Sequence, residues 1–488
     1  MLYQAHITRL LLGGLTLGML SLAPASAQFQ SDNVELETHL PLSFFNSAFA
    51  EDCWGYVSPS GREYAIIGLS QGTGFVEITD PANPVLVDIE LQTSQGRDMK
   101  VYQNYVYSSA DQGPTVIFDV SDIDNGNIAN VGSFNTGTHN LAIDEVSGFL
   151  YLAVGGPLNI YDLANPANPV FVGAWSGETH DVQVMTYTSG TYAGRQIAFV
   201  FAGYSRQVNI IDVTNKSNVF LVGSTGYSGS AYTHQGWLST DLQYLFVNDE
   251  LDNIPRTSVF DVSDLSNPIH LSDFSNGTPS TDHNLYVRGD YVYEANYTSG
   301  LRIWDISDPL NSVEVGFFDT YPSNDSPGFS GAWSAYPFFP SGSVIVSDRE
   351  SGLFILDPSE ATKPATATLR NAGANPVSYT ATPPVIGSTF AGTVDLAGTT
   401  GHSMAGLVGY LTSLNLPLAG GQVLLVNVAD AGGELLGLPF MAGPIATFNA
   451  GIPNDTSLCG LRLSTQAFHA GGVFPFALAN AQDLVVGF

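Results

Sequence analysis

The sequence predicts an all-β protein: a seven-bladed β-propeller followed by a small β-sandwich-like C-terminal domain. Three observations carry this expectation. A short motif, consisting of an apolar pair, an acidic residue, a turn and a second apolar run, recurs seven times at intervals of 42 to 52 residues. Between its copies lie runs such as NYVYSSA, GFLYLAVGG, QIAFVFAGY, QYLFVND and DYVYEANY, whose period-two alternation and aromatic content exclude helical repeats. Gly at 51 and Pro at 27 provide the turns such a chain needs. Three or four short strands per repeat of roughly 45 residues is the period of a propeller blade.

The chain opens on Arg9, an apolar run from Leu10 to Ala23, and then Ala25, Ser26 and Ala27 before Gln28. This pattern reads as a secretory signal peptide over residues 1–27. The run is shorter than the ~20 residues a spanning helix needs and contains Gly13, Gly14 and Gly18. The expectation is therefore an exported protein, extracellular or at the cell surface, with no transmembrane segment in the mature chain. Its two cysteines, Cys53 and Cys459, could pair or stay separate.

Residues 28–364 are assigned to the propeller. The recurring acidic residue is Glu77, Asp119, Asp162, Asp212, Asp261, Asp305 and Asp357 in turn. An Asp at a turn accepts backbone N–H groups, so a residue repeated in every blade reads as architectural rather than as a ring of metal ligands.

A second column lies about twenty residues after each acidic turn, where the next innermost strand should begin. Aligned on a downstream apolar residue, one position reads Trp54, Arg97, His139, His180, His234, His283 and Trp333. The next reads Gly55, Asp98, Asn140, Asp181, Gln235, Asn284 and Ser334. Four of the chain's nine histidines share one column, and in a propeller that column converges on the central channel. Three readings follow. Neutral imidazoles at His139, His180, His234 and His283 can ligate a zinc-like divalent metal, with Asp98 or Asp181 as oxygen ligands or orienting groups. Trp54, Arg97, Asp98, Asn140, Asp181, Gln235, Asn284 and Trp333 can instead line a pocket for a small or carbohydrate-like ligand, with the indoles as stacking faces. In the third reading each His bonds a neighbouring blade's carbonyl and holds the ring closed. Opposite walls of a seven-bladed channel stand too far apart for every ring to reach one ion, which counts against a tetrahedral site using all four imidazoles.

The segments GRDMKVYQNYVYSSAD, GTHNLAIDEVSGFLYLAVGG, ETHDVQVM, YTHQGWLSTDLQYLFVNDE, DHNLYVRGDYVYEANYTSGLRIWDIS and FSGAWSAYPFFPSGSVIVSDRESGLFIL resemble the LVIVD-repeat proteins, and more closely the choice-of-anchor B family. The resemblance spans about residues 35 to 360. It implies an exported propeller whose variable C-terminal region serves sorting or attachment at the cell surface, and it implies no reaction.

Residues 365–488 form the C-terminal β domain. Here the composition shifts to Ala, Gly, Thr and Leu, with five acidic and two basic residues. Gly401-His402-Ser403-Met404-Ala405 imitates a hydrolase nucleophile elbow, with Asp430 or Asp455 and then His469 in order. A small β domain lacks the strand-turn-helix that an elbow requires. Asp122, Asp124 and Asn127, and Asp249, Glu250 and Asp252, cluster oxygen ligands of the kind calcium prefers, but without EF-hand spacing.

The whole chain carries 45 acidic against 14 basic residues, a formal charge of -31. That balance argues against nucleic acid and anionic membranes as partners. The expected function is an extracellular binding or interaction protein with an unidentified protein, glycan or small-molecule ligand. The alternative is a metal-dependent hydrolase or lyase working in a His-lined channel.

Overall fold

A computed structural model describes residues 29–487 except 112, 135, 253, 364, 372–374, 398–400, 419, 431–432, 434–435, 454–457, 459 and 472–475. The expected leader, Asp455 and Cys459 therefore lie outside the described residues. None of the described helices is long and apolar enough to cross a membrane.

Seven antiparallel sheets follow one another along the chain as propeller blades. Their innermost strands are Ala50–Val57, Met99–Tyr102, Asn140–Asp144, Asp181–Thr186, Thr233–Leu238, Asn284–Arg288 and Ala332–Tyr336. The first six blades each take four consecutive strands. The seventh takes three from its own stretch and borrows its outermost strand, Glu35–Leu40, from the start of the propeller, with Leu36 opposite Leu356. This exchange closes the ring without a covalent link. Ser31–Asp32 adds a fifth strand to blade 6.

The apolar runs are explained by where the blades sit. A blade between two neighbours buries both faces, so runs such as QIAFVF are apolar at every position except Gln196. Among the described residues, one apolar cluster fills each of the seven blade interfaces. Phe199 and Phe201 of blade 4, for example, pack on Leu245 and Val247 of blade 5. Cys53 is buried in the interface between blades 7 and 1 and has no disulfide partner among the described residues.

The recurring acidic residue ends the third strand of each blade. Asp119, Asp162, Asp212, Asp261, Asp305 and Asp357 each accept the backbone N–H two residues on, at 2.7–2.9 Å. Glu77, one carbon longer, pairs instead with Arg62 at 3.5 Å. The column is architectural.

The C-terminal residues form a five-stranded and a three-stranded sheet plus a hairpin. Ala405, Leu407, Ala467 and Leu484 of the first sheet pack on Tyr379, Phe390, Val394 and Phe448 of the second, which makes a sandwich. The elbow pattern falls into this sandwich. Ser403 precedes the strand Met404–Tyr410, not a helix, and His469 is buried with Nε2 2.8 Å from Ser378 Oγ. Asp430 accepts from Thr412.

Candidate functional site in the propeller channel

The inner strands and the residues that lead into them carry three successive tiers of side chains. The first residue of interest in each gives Glu51, Arg97, His139, His180, His234, His283 and Trp333. The next gives Asp52, Asp98, Asn140, Asp181, Gln235, Asn284 and Ser334. Two residues beyond that, on the same face because strand side chains alternate, come Trp54, Lys100, Ala142, Gln183, Trp237, Tyr286 and Tyr336.

This corrects blade 1. The sequence alignment set Trp54 and Gly55 in the first two tiers, whereas Glu51 and Asp52 stand there. The register between the first two strands shifts between Ala50 and Cys53, which displaces the downstream residues used for alignment. Contacts identify the true members: Arg97 donates to Glu51, and Asp52 shares the field of Asp98 and Lys100.

In the first tier, the four imidazoles form an arc over blades 3 to 6. Ring centroids are 4.8 Å apart for His139 and His180, 4.5 Å for His180 and His234, and 4.5 Å for His234 and His283. Each ring is oriented by a different partner. His139 places Nδ1 2.8 Å from Asp111, and its Nε2 accepts from Arg97 at 3.3 Å. His180 Nδ1 meets the Tyr232 hydroxyl at 2.7 Å, while its Nε2 is buried without a hydrogen-bond partner among the described residues. His234 Nδ1 donates to the His283 carbonyl at 3.1 Å, and His283 Nδ1 to the Trp333 carbonyl at 2.6 Å. The bond to a neighbouring blade's carbonyl thus exists for two of the four, while His139 and His180 bond side chains of an adjacent blade.

Glu250 completes this end of the channel. It follows the second strand of blade 5, Tyr244–Asp249, and its carboxylate lies 3.7 Å from Nε2 of both His234 and His283. The Tyr297 hydroxyl donates to it at 2.7 Å. Burial holds His180 and His283 well below the usual histidine range, and neighbouring imidazoles add to the effect; burial also lowers His234, against the pull of Glu250. Trp333 is buried beneath two guanidiniums, Arg97 at 4.5 Å and Arg349 at 5.1 Å, so it offers no free stacking face.

The second tier ties adjacent blades together. The Asp98 carboxylate accepts Leu141 N–H at 2.7 Å, and Asn140 donates to the His180 carbonyl at 3.0 Å. Gln235 serves both backbone groups of Leu285, at 2.9 Å each, and Asn284 donates to the Trp333 carbonyl at 3.1 Å. Asp181 departs from this pattern and accepts the N–H of Val182 next to it, at 2.6 Å.

Below this ring opens a cavity of about 480 Å³. Asp52, Asp98, Asp181, Gln235 and Asn284 lie at its inner end, and Trp54, Trp237, Tyr286, Tyr336 and Phe338 form one wall. The aromatic rings brace one another edge to face, with Trp54 4.9 Å from Tyr336 and Trp237 5.0 Å from Tyr286. Lys100 stands over Trp54 at 4.3 Å and donates to Asp98 at 2.5 Å. Three carboxylates thus face one ammonium. Burial, reinforced by Asp98, pushes Asp181 up to about 8 and Asp52 well above the carboxylate range. Burial alone would lower Lys100, but Asp98 and Asp52 outweigh it and raise it.

The acidic loops are engaged within the chain. Asn125 and Asn127 donate to Asp122, and Tyr64 to Asp124. Asp249 accepts from Tyr227, Ala231 and Tyr232, and Asp252 pairs with Arg256. Of these residues only Glu250 faces the channel imidazoles.

The seven sheets and the channel they enclose define a β-propeller. The LVIVD repeat family matches residues 140–176 and 282–320, which are blades 3 and 6. Their third strands read Leu158-Asn159-Ile160-Tyr161-Asp162 and Leu301-Arg302-Ile303-Trp304-Asp305. Among solved structures the chain is similar to the β-propeller domain of Cps50 (Swd1) from Myceliophteria thermophila, with a TM-score of 0.44 and 13% identity over 62% of this chain and 95% of that one. It is similar to the periplasmic gluconolactonase of Pseudomonas aeruginosa, with a TM-score of 0.43 and 15% identity over 55% and 87%. A Lactobacillus plantarum protein gives a TM-score of 0.45 and 12% identity over 81% and 98%. No curated protein matches the chain.

Proposed function

We propose that this chain is an exported binding protein whose propeller takes a small carbohydrate-like ligand in the aromatic-walled cavity. The observation that carries the reading is the juxtaposition of half-buried Trp54 and Trp237 with Asp52, Asp98, Asp181, Gln235 and Asn284 in one cavity of about 480 Å³. A sugar ring offers an apolar face for indoles and hydroxyls for carboxylates and amides, and the cavity volume falls within the ~300–1,000 Å³ of ordinary small-molecule sites. Lys100 is paired with Asp98, and burial raises Asp52 and Asp181, so the inner end carries no excess of charge and favours neutral over ionic sugars. A protonated Asp181 can donate to a hydroxyl, which an ionised one cannot.

The N-terminal pattern supports export, and mass analysis of the mature chain should find Gln28 first. The nearly uncharged C-terminal sandwich is assigned to attachment outside the cell. Screening the purified chain on neutral, amino and acidic glycans, followed by calorimetry of the hits, tests the binding reading. A hit weakened by Trp54→Ala or Trp237→Ala supports it. Hits indifferent to both substitutions, or no hits, overturn it.

A further inference from the structure

We propose that His234, His283 and Glu250 bind a divalent transition metal of the zinc class at the end of the channel opposite the aromatic cavity. The site is independent of the ligand reading above. The three residues offer one ligand atom each, all within 4.8 Å of one another. Tetrahedral zinc places its ligand atoms roughly 3.3 Å apart, given Zn–N and Zn–O lengths near 2.0–2.1 Å. Glu250 approaches that spacing through both its oxygens, with Oε2 3.7 Å from His234 Nε2 and Oε1 3.7 Å from His283 Nε2.

Hydrogen bonding makes the case sharper. Both Nδ1 atoms donate to backbone carbonyls, so each carries the proton and each Nε2 presents a lone pair. Those lone pairs face a carboxylate. Acceptor opposed to acceptor in a buried setting is unfavourable unless a cation lies between them. The carbonyl bond to the far ring nitrogen is also the usual way a metal-binding imidazole is fixed, and Tyr297 orients the carboxylate in the same manner. A hydrogen bond that merely closed the ring would need one nitrogen per imidazole and would leave Glu250 unexplained. His180, with its buried Nε2 unpartnered among the described residues and its ring 4.5 Å from that of His234, is the next imidazole along the arc but is not one of the three converging ligands. His139 is excluded, because Asp111 and Arg97 engage both its nitrogens.

The test uses the full chain stripped with a chelator, dialysed, and titrated with Zn²⁺ by calorimetry and with Co²⁺ by visible absorption. One equivalent of Zn²⁺ and Co²⁺ d–d bands of a four- or five-coordinate N/O site are expected. Glu250→Gln, nearly isosteric, should weaken Zn²⁺ at least tenfold, and His283→Ala should abolish the stoichiometric site. His139→Ala should leave both unchanged. Absence of a stoichiometric site in the native chain overturns the proposal. So does unaltered Zn²⁺ affinity in folded Glu250→Gln, which remains informative even if His283→Ala does not fold.

Discussion

The two ends of the propeller channel are built from the same seven strands, one to three residues apart, yet they carry opposite chemistry. One end gathers four imidazoles, three of them held down by burial, with Glu250 set beside two of them; the other gathers carboxylates under an aromatic wall. Between them the amide and carboxylate tier is used mainly to bind blade to blade. Period-two alternation makes this possible, because tiers on one strand are independent in side-chain direction while sharing a backbone. A ring of repeats can therefore hold two sites without a second domain.

Substitutions should separate the two ends. His283→Ala should remove stoichiometric zinc while leaving glycan binding in the cavity intact, and Trp54→Ala should do the reverse, lowering ligand affinity about tenfold, or 1.4 kcal/mol. Calorimetry with each ligand on both variants checks this; loss of both activities in either variant would join the ends into one site.

The tier between them predicts a stability effect. Gln235→Ala strips the partners from both backbone groups of Leu285 and should cost about 2–6 kcal/mol by denaturant unfolding, since each buried orphan costs about 1–3 kcal/mol.

Acidity distinguishes the ends again. Asp181 is raised from 3.8 to about 8, so the folded chain holds a proton that the unfolded chain releases. Its contribution is fully present below the unfolded carboxylate pKa and is lost as pH rises towards 8. Asp181→Asn should flatten that decline in melting temperature. The histidines act the other way: His180 and His283 are lowered, so their contribution is present above the usual histidine pKa and is lost as pH falls below it. His180→Gln should lessen that acid loss. Least of all, Asp305→Ala, which removes one exposed turn bond, should cost about 0.5–1.5 kcal/mol.

The seven blades were legible because the third strand of each blade ends on an acidic residue, which in six of the seven accepts a turn N–H. Strands buried on both faces also read as short apolar and aromatic runs between polar turns. The histidine column was legible through rarity. Glu51 and Asp52 were not, since a register shift in the first blade is set by packing and leaves no mark in residue type. Glu250 was read as part of an acidic loop. Its approach to His234 and His283 is a tertiary fact, determined by where the second strand of blade 5 ends. The aromatic wall could have been found: Trp54, Trp237, Tyr286 and Tyr336 each follow the second tier by two residues, the spacing that keeps strand side chains on one face.

The most direct measurement is anomalous diffraction at the zinc edge from crystals of stripped protein reloaded with one equivalent of Zn²⁺. The account predicts one strong peak bounded by His234 Nε2, His283 Nε2 and the Glu250 carboxylate. No peak there, with the imidazoles still bonded to their carbonyls, would contradict it.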